Sequence, residues 1–168
     1  MLSSRSIAFA VVLIATAGTA GLTAQQQQMK MADPDTYYLP NAENSKIVTV
    51  TRSGKVEAHV IVQTHAVATR ETDPDTVARF GEVYTFSPNT IVVHQNEPTQ
   101  IEFWNLEPEN DHAFMLMDPQ RAVIMQVLLA KYKKTSYVFT FHRQGVFDFT
   151  CSVHLPGMNG QIMVVPPR

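Results

Sequence analysis

The chain has a single cysteine, Cys151, among its 168 residues, and its charged residues balance closely. One cysteine excludes a disulfide within the chain. The formal net charge at pH 7 is only −2, from 13 basic and 15 acidic residues. So weak a charge gives no support for a nucleic-acid partner, and we expect none.

Long hydrophobic runs are also lacking. The sustained apolar stretch, residues 7–17, is too short to span a bilayer comfortably. It follows Arg5 and leads into small residues that end near Ala24, which is the layout of a secretory signal peptide. We therefore expect residues 1–24 to be a bacterial signal peptide, the mature protein to be exported to the periplasm, and no stable membrane insertion.

The rest of the chain divides into three parts by composition. Residues 25–45 are polar and interrupted by proline, which predicts a flexible arm. Residues 46–78 hold two β-branched stretches on either side of Ser53-Gly54, a pattern that predicts an N-terminal β-hairpin extension. Residues 79–168 are then the main domain, which is of ordinary single-domain size.

Short alternating segments fill the main domain, with turn residues between them. Their spacing predicts an all-β fold, a Greek-key β-sandwich. Residues 121–130 fit either a short helix or an irregular strand, and periodicity alone does not decide. The predicted strands are 82–86, 90–94, 99–106, 112–117, 136–142, 146–151 and 161–165.

The richest chemistry lies in FDFTCSVHLPGMNGQIMV, residues 147–164. Cys151 is followed by His154 and Met158 on one turn-rich loop between two predicted strands. A thiolate, an imidazole and a thioether are soft ligands suited to copper, and one more histidine would complete a His2Cys set with a weak axial Met. Copper would also occupy a free thiol that is otherwise a liability in an oxidising compartment.

Five other histidines are candidates for the remaining ligand position. His59 and His65 lie six positions apart on the predicted extension, too distant to chelate one ion, and we expect them to face solvent. His94 and His142 lie on faces opposite the inward apolar residues. His112 follows the turn 108–111 and begins a core strand, so it is the candidate that we favour.

These motifs resemble those of the cupredoxins, the small type 1 (blue) copper proteins such as plastocyanin, pseudoazurin and amicyanin. The matching segments are NLEPENDHAFML, FDFTC and SVHLPGM, and the resemblance covers residues 82–166. It implies one Cu(I)/Cu(II) ion held by His112, Cys151 and His154, with Met158 as axial ligand. It also implies a carrier of single electrons rather than an enzyme, with the electron leaving through His154.

One departure from the family is visible in the sequence. Ala113 stands where family members usually have Asn, so the hydrogen bond from that Asn to Ser152 is missing. Bonds of this kind orient the ligands and tune the metal, so the reduction potential does not carry over from the family.

Other copper functions stay open at this point. In an open-site protein resembling nitrosocyanin, a carboxylate of Glu109 or Asp111 would replace Met158 as a ligand. A copper-holding or delivery protein is the other alternative. A multicopper oxidase needs more copper-binding histidines than this chain has. For an electron carrier we expect transient docking of a redox protein, such as a cytochrome or an oxidase, on an apolar surface around His154 that includes Leu155, Pro156, Gly157 and Met115.

Overall fold

A computed structural model describes residues 37–155 and 157–168. The predicted signal peptide, most of the predicted arm and Pro156 lie outside this range. The described residues form ten β-strands, one α-helix and one short 3₁₀-helix, Asn44–Lys46. The helix is α1 (Pro74–Phe80), and the strands are β1 (Val48–Thr51), β2 (Ala58–Ala68), β3 (Val83–Ser87), β4 (Thr90–His94), β5 (Thr99–Asn105), β6 (His112–Met117), β7 (Val123–Leu129), β8 (Lys134–Phe141), β9 (Gly145–Thr150) and β10 (Asn159–Val165).

The strands form two five-stranded sheets. Sheet I has the order β1-β8-β5-β2-β3, and sheet II has the order β4-β10-β9-β6-β7. Two of the pairings are parallel, β2 with β5 and β4 with β10, and the others are antiparallel. The predicted all-β sandwich is confirmed.

The predicted N-terminal hairpin is wrong. β1 and β2 do not pair with each other, because β1 pairs with β8 while β2 lies between β5 and β3. Val48 of β1 and Val62 of β2 are both fully buried, so each strand contributes to the common core instead of forming a separate unit. The strands before and after residue 78 therefore share one sheet.

Aromatic side chains fill the space between the sheets. Phe103 of sheet I packs on Phe114 of sheet II with ring centroids 4.6 Å apart, and Phe86 meets Phe149 edge to face at 5.1 Å. All four rings are at most 2% exposed. Each buried phenylalanine contributes about 1.5–3 kcal/mol relative to an exposed one, so these contacts between the sheets hold the sandwich closed. The alternation of Phe147 and Phe149 reflects this inward face.

The segment that could not be assigned, residues 121–130, contains a strand, β7. It pairs antiparallel with β6 along its whole length, and most of its side chains are buried, which explains why no helical or strand period was evident in the sequence.

α1 lies between β2 and β3, which are neighbouring strands of sheet I. The Asp73 side chain accepts a hydrogen bond from the Thr76 amide at 3.0 Å, Pro74 occupies the first turn, and Gly81 ends the helix at a φ of 77°. The sequence DPDT, residues 73–76, therefore caps the helix at its N-terminus. No helix in the described ranges has the length and apolar character to cross a bilayer.

Candidate metal centre

The loop between β9 and β10 is closed by its own main chain. The Cys151 amide donates to the Met158 carbonyl at 2.9 Å, and the His154 amide donates to the Cys151 carbonyl at 3.3 Å. Thr150 adds a bond from its hydroxyl to the same Met158 carbonyl at 3.0 Å. Cys151, His154 and Met158 are thereby held on one compact turn, as expected for a loop that needs little chain entropy to bring its ligands together.

His112 reaches this loop because of strand register. It is the first residue of β6, and β6 pairs with β9 through Met115 opposite Thr150. Extending that antiparallel register places the start of β6 beside the loop that follows Cys151. The amide of Ala113 donates to the Cys151 sulfur at 3.3 Å, which fixes the two segments to each other.

Three donor atoms converge between these segments. Nδ1 of His112 lies 3.0 Å from Nδ1 of His154, and the Cys151 sulfur lies 3.8 Å and 3.5 Å from the two nitrogens. The point equidistant from all three lies about 2.0 Å from each, close to a metal–imidazole bond of about 2.0–2.1 Å and a little short of a metal–thiolate bond of about 2.3 Å. These three side chains are therefore placed so that they could hold a metal ion.

Burial favours the neutral forms of all three donor groups. Burial, and then the charge of His154, lower the pKa of His112 to about 4, although Asp111 acts in the opposite direction. Burial also lowers the pKa of His154 and raises the pKa of the Cys151 thiol. A neutral imidazole has a nitrogen lone pair to offer a metal, whereas the thiol must release its proton to become a ligand.

The main chain prepares the sulfur for negative charge. Backbone N–H groups of Ala113, Val153 and His154 point at Cys151 and act to lower its pKa, against the larger effect of burial. Amide donors of this kind stabilise a thiolate, so this chemistry favours a metal ligand over an inert buried thiol.

Met158 lies in the same closed turn and is fully buried. The carboxylates proposed as its replacement lie outside the cluster of donor atoms. Glu109 and Asp111 are both exposed, and an oxygen of Asp111 accepts a hydrogen bond from the Lys131 amide at 2.8 Å. Among the described residues, the cluster of histidine, cysteine and acidic side chains able to hold an ion contains no carboxylate. This arrangement favours the thioether.

The other four histidines lie outside the cluster. His94 contacts the Pro166 carbonyl at 2.7 Å, and His142 lies between the side chains of Thr49 and Asn96. His59 is exposed, as predicted, whereas His65 is half-buried. Of the predicted ligands, the structure thus brings His112, Cys151 and His154 into contact and places Met158 on their loop; their binding of a metal stays a prediction.

Ala113, the residue that departs from the cupredoxin pattern, leaves Ser152 without the hydrogen-bond partner that the family pattern would supply. Ser152 Oγ is buried and has no hydrogen-bond partner within the described residues. Ala113, whose side chain is only 1% exposed, provides no polar group there.

Two residues near the site were missed in the sequence. Tyr84 of β3 packs against both imidazoles, with ring centroids 5.2 Å from His112 and 4.3 Å from His154. Asn105, at the end of β5, is 2% exposed and supports the segment that leads to His112. The inward alternation of Tyr84 with Phe86 was the available signal for the first, and nothing local indicated the second.

A family model shows to which protein family the chain belongs. The model described as a cupredoxin-like domain matches residues 6–164, nearly the whole chain. The chain belongs to the cupredoxin-like family. This match begins well before residue 82, where the resemblance in the sequence motifs begins. It agrees with the inclusion of β1 and β2 in the sandwich of this cupredoxin.

Several solved structures are similar to this cupredoxin at low sequence identity. A mutant of amicyanin in its reduced state is 17% identical, with a TM-score of 0.45, over 71% of this cupredoxin and 99% of that chain. Auracyanin A from Chloroflexus aurantiacus, described as a "blue" copper protein, is 15% identical, with a TM-score of 0.47, over 64% and 98%. A multicopper oxidase is 15% identical, with a TM-score of 0.50, over 67% of this chain and only 45% of its own. None of the curated proteins matches this cupredoxin in sequence.

Proposed function

We propose that this cupredoxin binds one copper ion at a type 1 site and carries single electrons between redox proteins. His112, Cys151, His154 and Met158 are the residues that would hold the ion in this proposal. The protein acts as a carrier and not as an enzyme. The observation that carries the proposal is the triangle of two Nδ1 atoms and one sulfur, whose size is close to that set by metal–ligand bond lengths.

Copper supplies a one-electron couple between Cu(I) and Cu(II), and the protein's task is to keep the ligands in one compromise geometry. Three features of the chain do this. The closed loop holds Cys151 and His154, the β6 register holds His112, and the Ala113 amide bonds the sulfur. Because Cys151 and His112 are at most 1% exposed, solvent is excluded from the sulfur and from one imidazole. A preorganised shell reduces the rearrangement that accompanies electron transfer.

His154 is the ligand on the accessible side, and we propose it as the point where electrons enter or leave. It borders a groove of about 690 Å³ together with Phe80, Val153 and Leu155. Phe80 is 76% exposed and Leu155 is 42% exposed, so exposed apolar side chains border the same groove as the imidazole. Transient docking of a cytochrome or an oxidase suits such a surface. Met115, expected in this surface from the sequence, is instead buried at 4% exposure.

Export to the periplasm completes the proposal. It is supported by the signal-like layout of residues 1–24 and by a free cysteine that metal binding would protect in an oxidising compartment.

The test is the visible and electron paramagnetic resonance spectrum of the Cu(II)-loaded protein. We expect one copper per chain and an intense blue charge-transfer band from the thiolate. Cys151→Ser removes the band, because a hydroxyl oxygen does not supply that transition, and His112→Gln weakens copper binding. The matched control is His59→Gln, which removes an exposed imidazole and should leave the spectrum unchanged.

Three outcomes would contradict the proposal. The wild-type protein could take up no copper, the band could survive in Cys151→Ser, or the oxidised protein could be red, as the carboxylate alternative expects. A competing copper chelator separates carrier from delivery protein, since a delivery protein gives up its copper readily whereas an electron carrier retains it.

A further inference from the structure

Tyr84 reaches from one sheet of the sandwich to the two histidines of the candidate metal centre. It belongs to β3 in sheet I, whereas both histidines come from segments of sheet II. Its ring is tilted at 41° to that of His154 and stands at 64° to that of His112. Tyr84 is only 3% exposed, so this contact lies within the packed interior. One side chain from the opposite sheet thus contacts both imidazoles.

The hydroxyl of Tyr84 is also held from two sides. It donates to the carboxylate of Glu82 at 3.0 Å and accepts from the side-chain amide of Asn110 at 2.9 Å. Asn110 precedes His112 by two residues, on the turn that leads into β6. The chain Glu82–Tyr84–Asn110 therefore connects β3 to the segment that supplies one imidazole, while the Tyr84 ring covers the other imidazole.

We propose that Tyr84 is a positioning residue that fixes the ring orientation of His154 and anchors the turn before His112, and thereby tunes the affinity and potential of the metal. The inference rests on the proposed function, since it concerns the same two imidazoles. Groups that orient metal-bound histidines are commonly worth 10- to 100-fold in metal affinity. Tyr84 orients these rings by contact and by the hydroxyl's two bonds.

Two substitutions separate the ring from the hydroxyl. Tyr84→Phe keeps the ring and removes both hydrogen bonds, and we expect about a tenfold loss of Cu(II) affinity in chelator competition. Tyr84→Leu also removes the ring, and we expect a loss nearer 100-fold. Both variants should shift the charge-transfer band and the reduction potential, which a merely structural role would leave unchanged. Thermal unfolding of the metal-free proteins, measured alongside, shows whether each variant folds.

Tyr137→Phe is the matched control. Tyr137 is another buried tyrosine of sheet I, 4% exposed, whose ring packs on Phe139 and not on the histidines. This variant should keep the wild-type affinity, band and potential.

A double-mutant cycle tests the hydrogen-bonded chain itself. Glu82→Ala should weaken copper binding, and its effect should largely vanish in the Tyr84→Phe background, because Glu82 acts through the hydroxyl. Additive effects would show that Glu82 acts by its charge alone and would overturn this part of the inference.

The inference and the proposed function fail in different ways. If Tyr84→Phe and Tyr84→Leu fold and match Tyr137→Phe in affinity, band and potential, the positioning role is overturned while the copper site stands. If the wild-type protein gives no thiolate band, the proposed function itself is overturned.

Discussion

The Nδ1 atoms of His112 and His154 lie 3.0 Å apart, although 42 positions separate the two residues in the chain. Two nitrogens at this distance share at most one proton without repulsion. Burial and the proximity of His154 accordingly lower the pKa of His112 to about 4. The pair is therefore stable as neutral rings, which is the form that binds a metal.

This relationship predicts how the metal-free protein responds to acid. A histidine with a pKa near 6.5 in the unfolded chain takes up a proton there, while His112 in the folded protein does so only near pH 4. Its contribution to the free energy of unfolding is thus complete above pH 6.5 and is lost as the pH falls toward 4. We expect about 1–2 kcal/mol of the loss between pH 7 and pH 5 to come from His112.

Urea denaturation of the metal-free protein at pH 7, 6 and 5 measures this loss. His112→Gln should flatten the pH dependence, whereas His59→Gln, at an exposed position, should keep the wild-type dependence. An unchanged pH dependence in His112→Gln would refute the assignment.

Two hydroxyls at the start of the loop between β9 and β10 make a matched pair. Ser152 Oγ is buried without a hydrogen-bond partner, whereas Thr150 Oγ1 donates to the Met158 carbonyl at 3.0 Å. Ser152→Ala should raise the free energy of unfolding by about 1 kcal/mol, because it removes a buried polar group that is not satisfied. Thr150→Val should lower it by about 1–2 kcal/mol, because it leaves the carbonyl with one donor fewer. Chemical denaturation measures both, and a loss of stability in Ser152→Ala would contradict the first.

Gly160 has no room for a side chain. A Cβ at this position would overlap the Asn89 carbonyl oxygen, which accepts a hydrogen bond from the Gln161 amide, and the ring of Phe149, which pairs with Gly160. We expect Gly160→Ala to cost about 2–3 kcal/mol, since backbone and a packed aromatic ring must both shift. At Gly157 a Cβ meets no atom within 4 Å, so Gly157→Ala should stay within about 0.5 kcal/mol of wild type. Thermal unfolding compares them, and equal melting temperatures would count against the close packing at Gly160.

Asn105 uses its whole side chain in hydrogen bonds. Its oxygen accepts from the Thr64 hydroxyl at 3.0 Å and the Glu107 amide at 2.9 Å, and its nitrogen donates to the carbonyls of Asn110 and Leu129. Asn105→Ala leaves several buried groups without a partner and should cost about 2–4 kcal/mol.

The same variant should also weaken copper binding, because Asn110 loses one of its supports and is itself the donor to Tyr84. Gln100→Ala is the control, since the Gln100 amide makes a single half-buried bond to Ser136. Copper affinity that is the same in the two variants would separate Asn105 from the site.

Local patterns were sufficient for most strands. His112–Met117 was predicted with the bounds that the structure has, because β6 begins after a turn and ends before one. The hairpin was wrong for a physical reason. The Ser53-Gly54 turn signal is local, but burial of Val48 and Val62 is satisfied by partners far along the chain. Pairing partners are chosen by the whole core, and no local pattern contains that information.

The candidate site shows the same division. The spacing of Cys151, His154 and Met158 on one loop is visible in the sequence, and His112 was selected from its position at a strand start. Tyr84 and Asn105 could not be found in this way. Their roles arise only when sheet I faces sheet II and β5 ends beside the turn that precedes β6.

The parallel pairing of β2 with β5 and of β4 with β10 joins segments that are distant along the chain. Such contacts form late, because a long loop must close before they are gained. β10 completes the neighbourhood of the closed turn, and β6 must dock beside β9 before His112 meets the sulfur. A chain in which β6 has not docked beside β9 would not bring His112 to the Cys151 sulfur, so copper uptake at this site would require the folded sandwich.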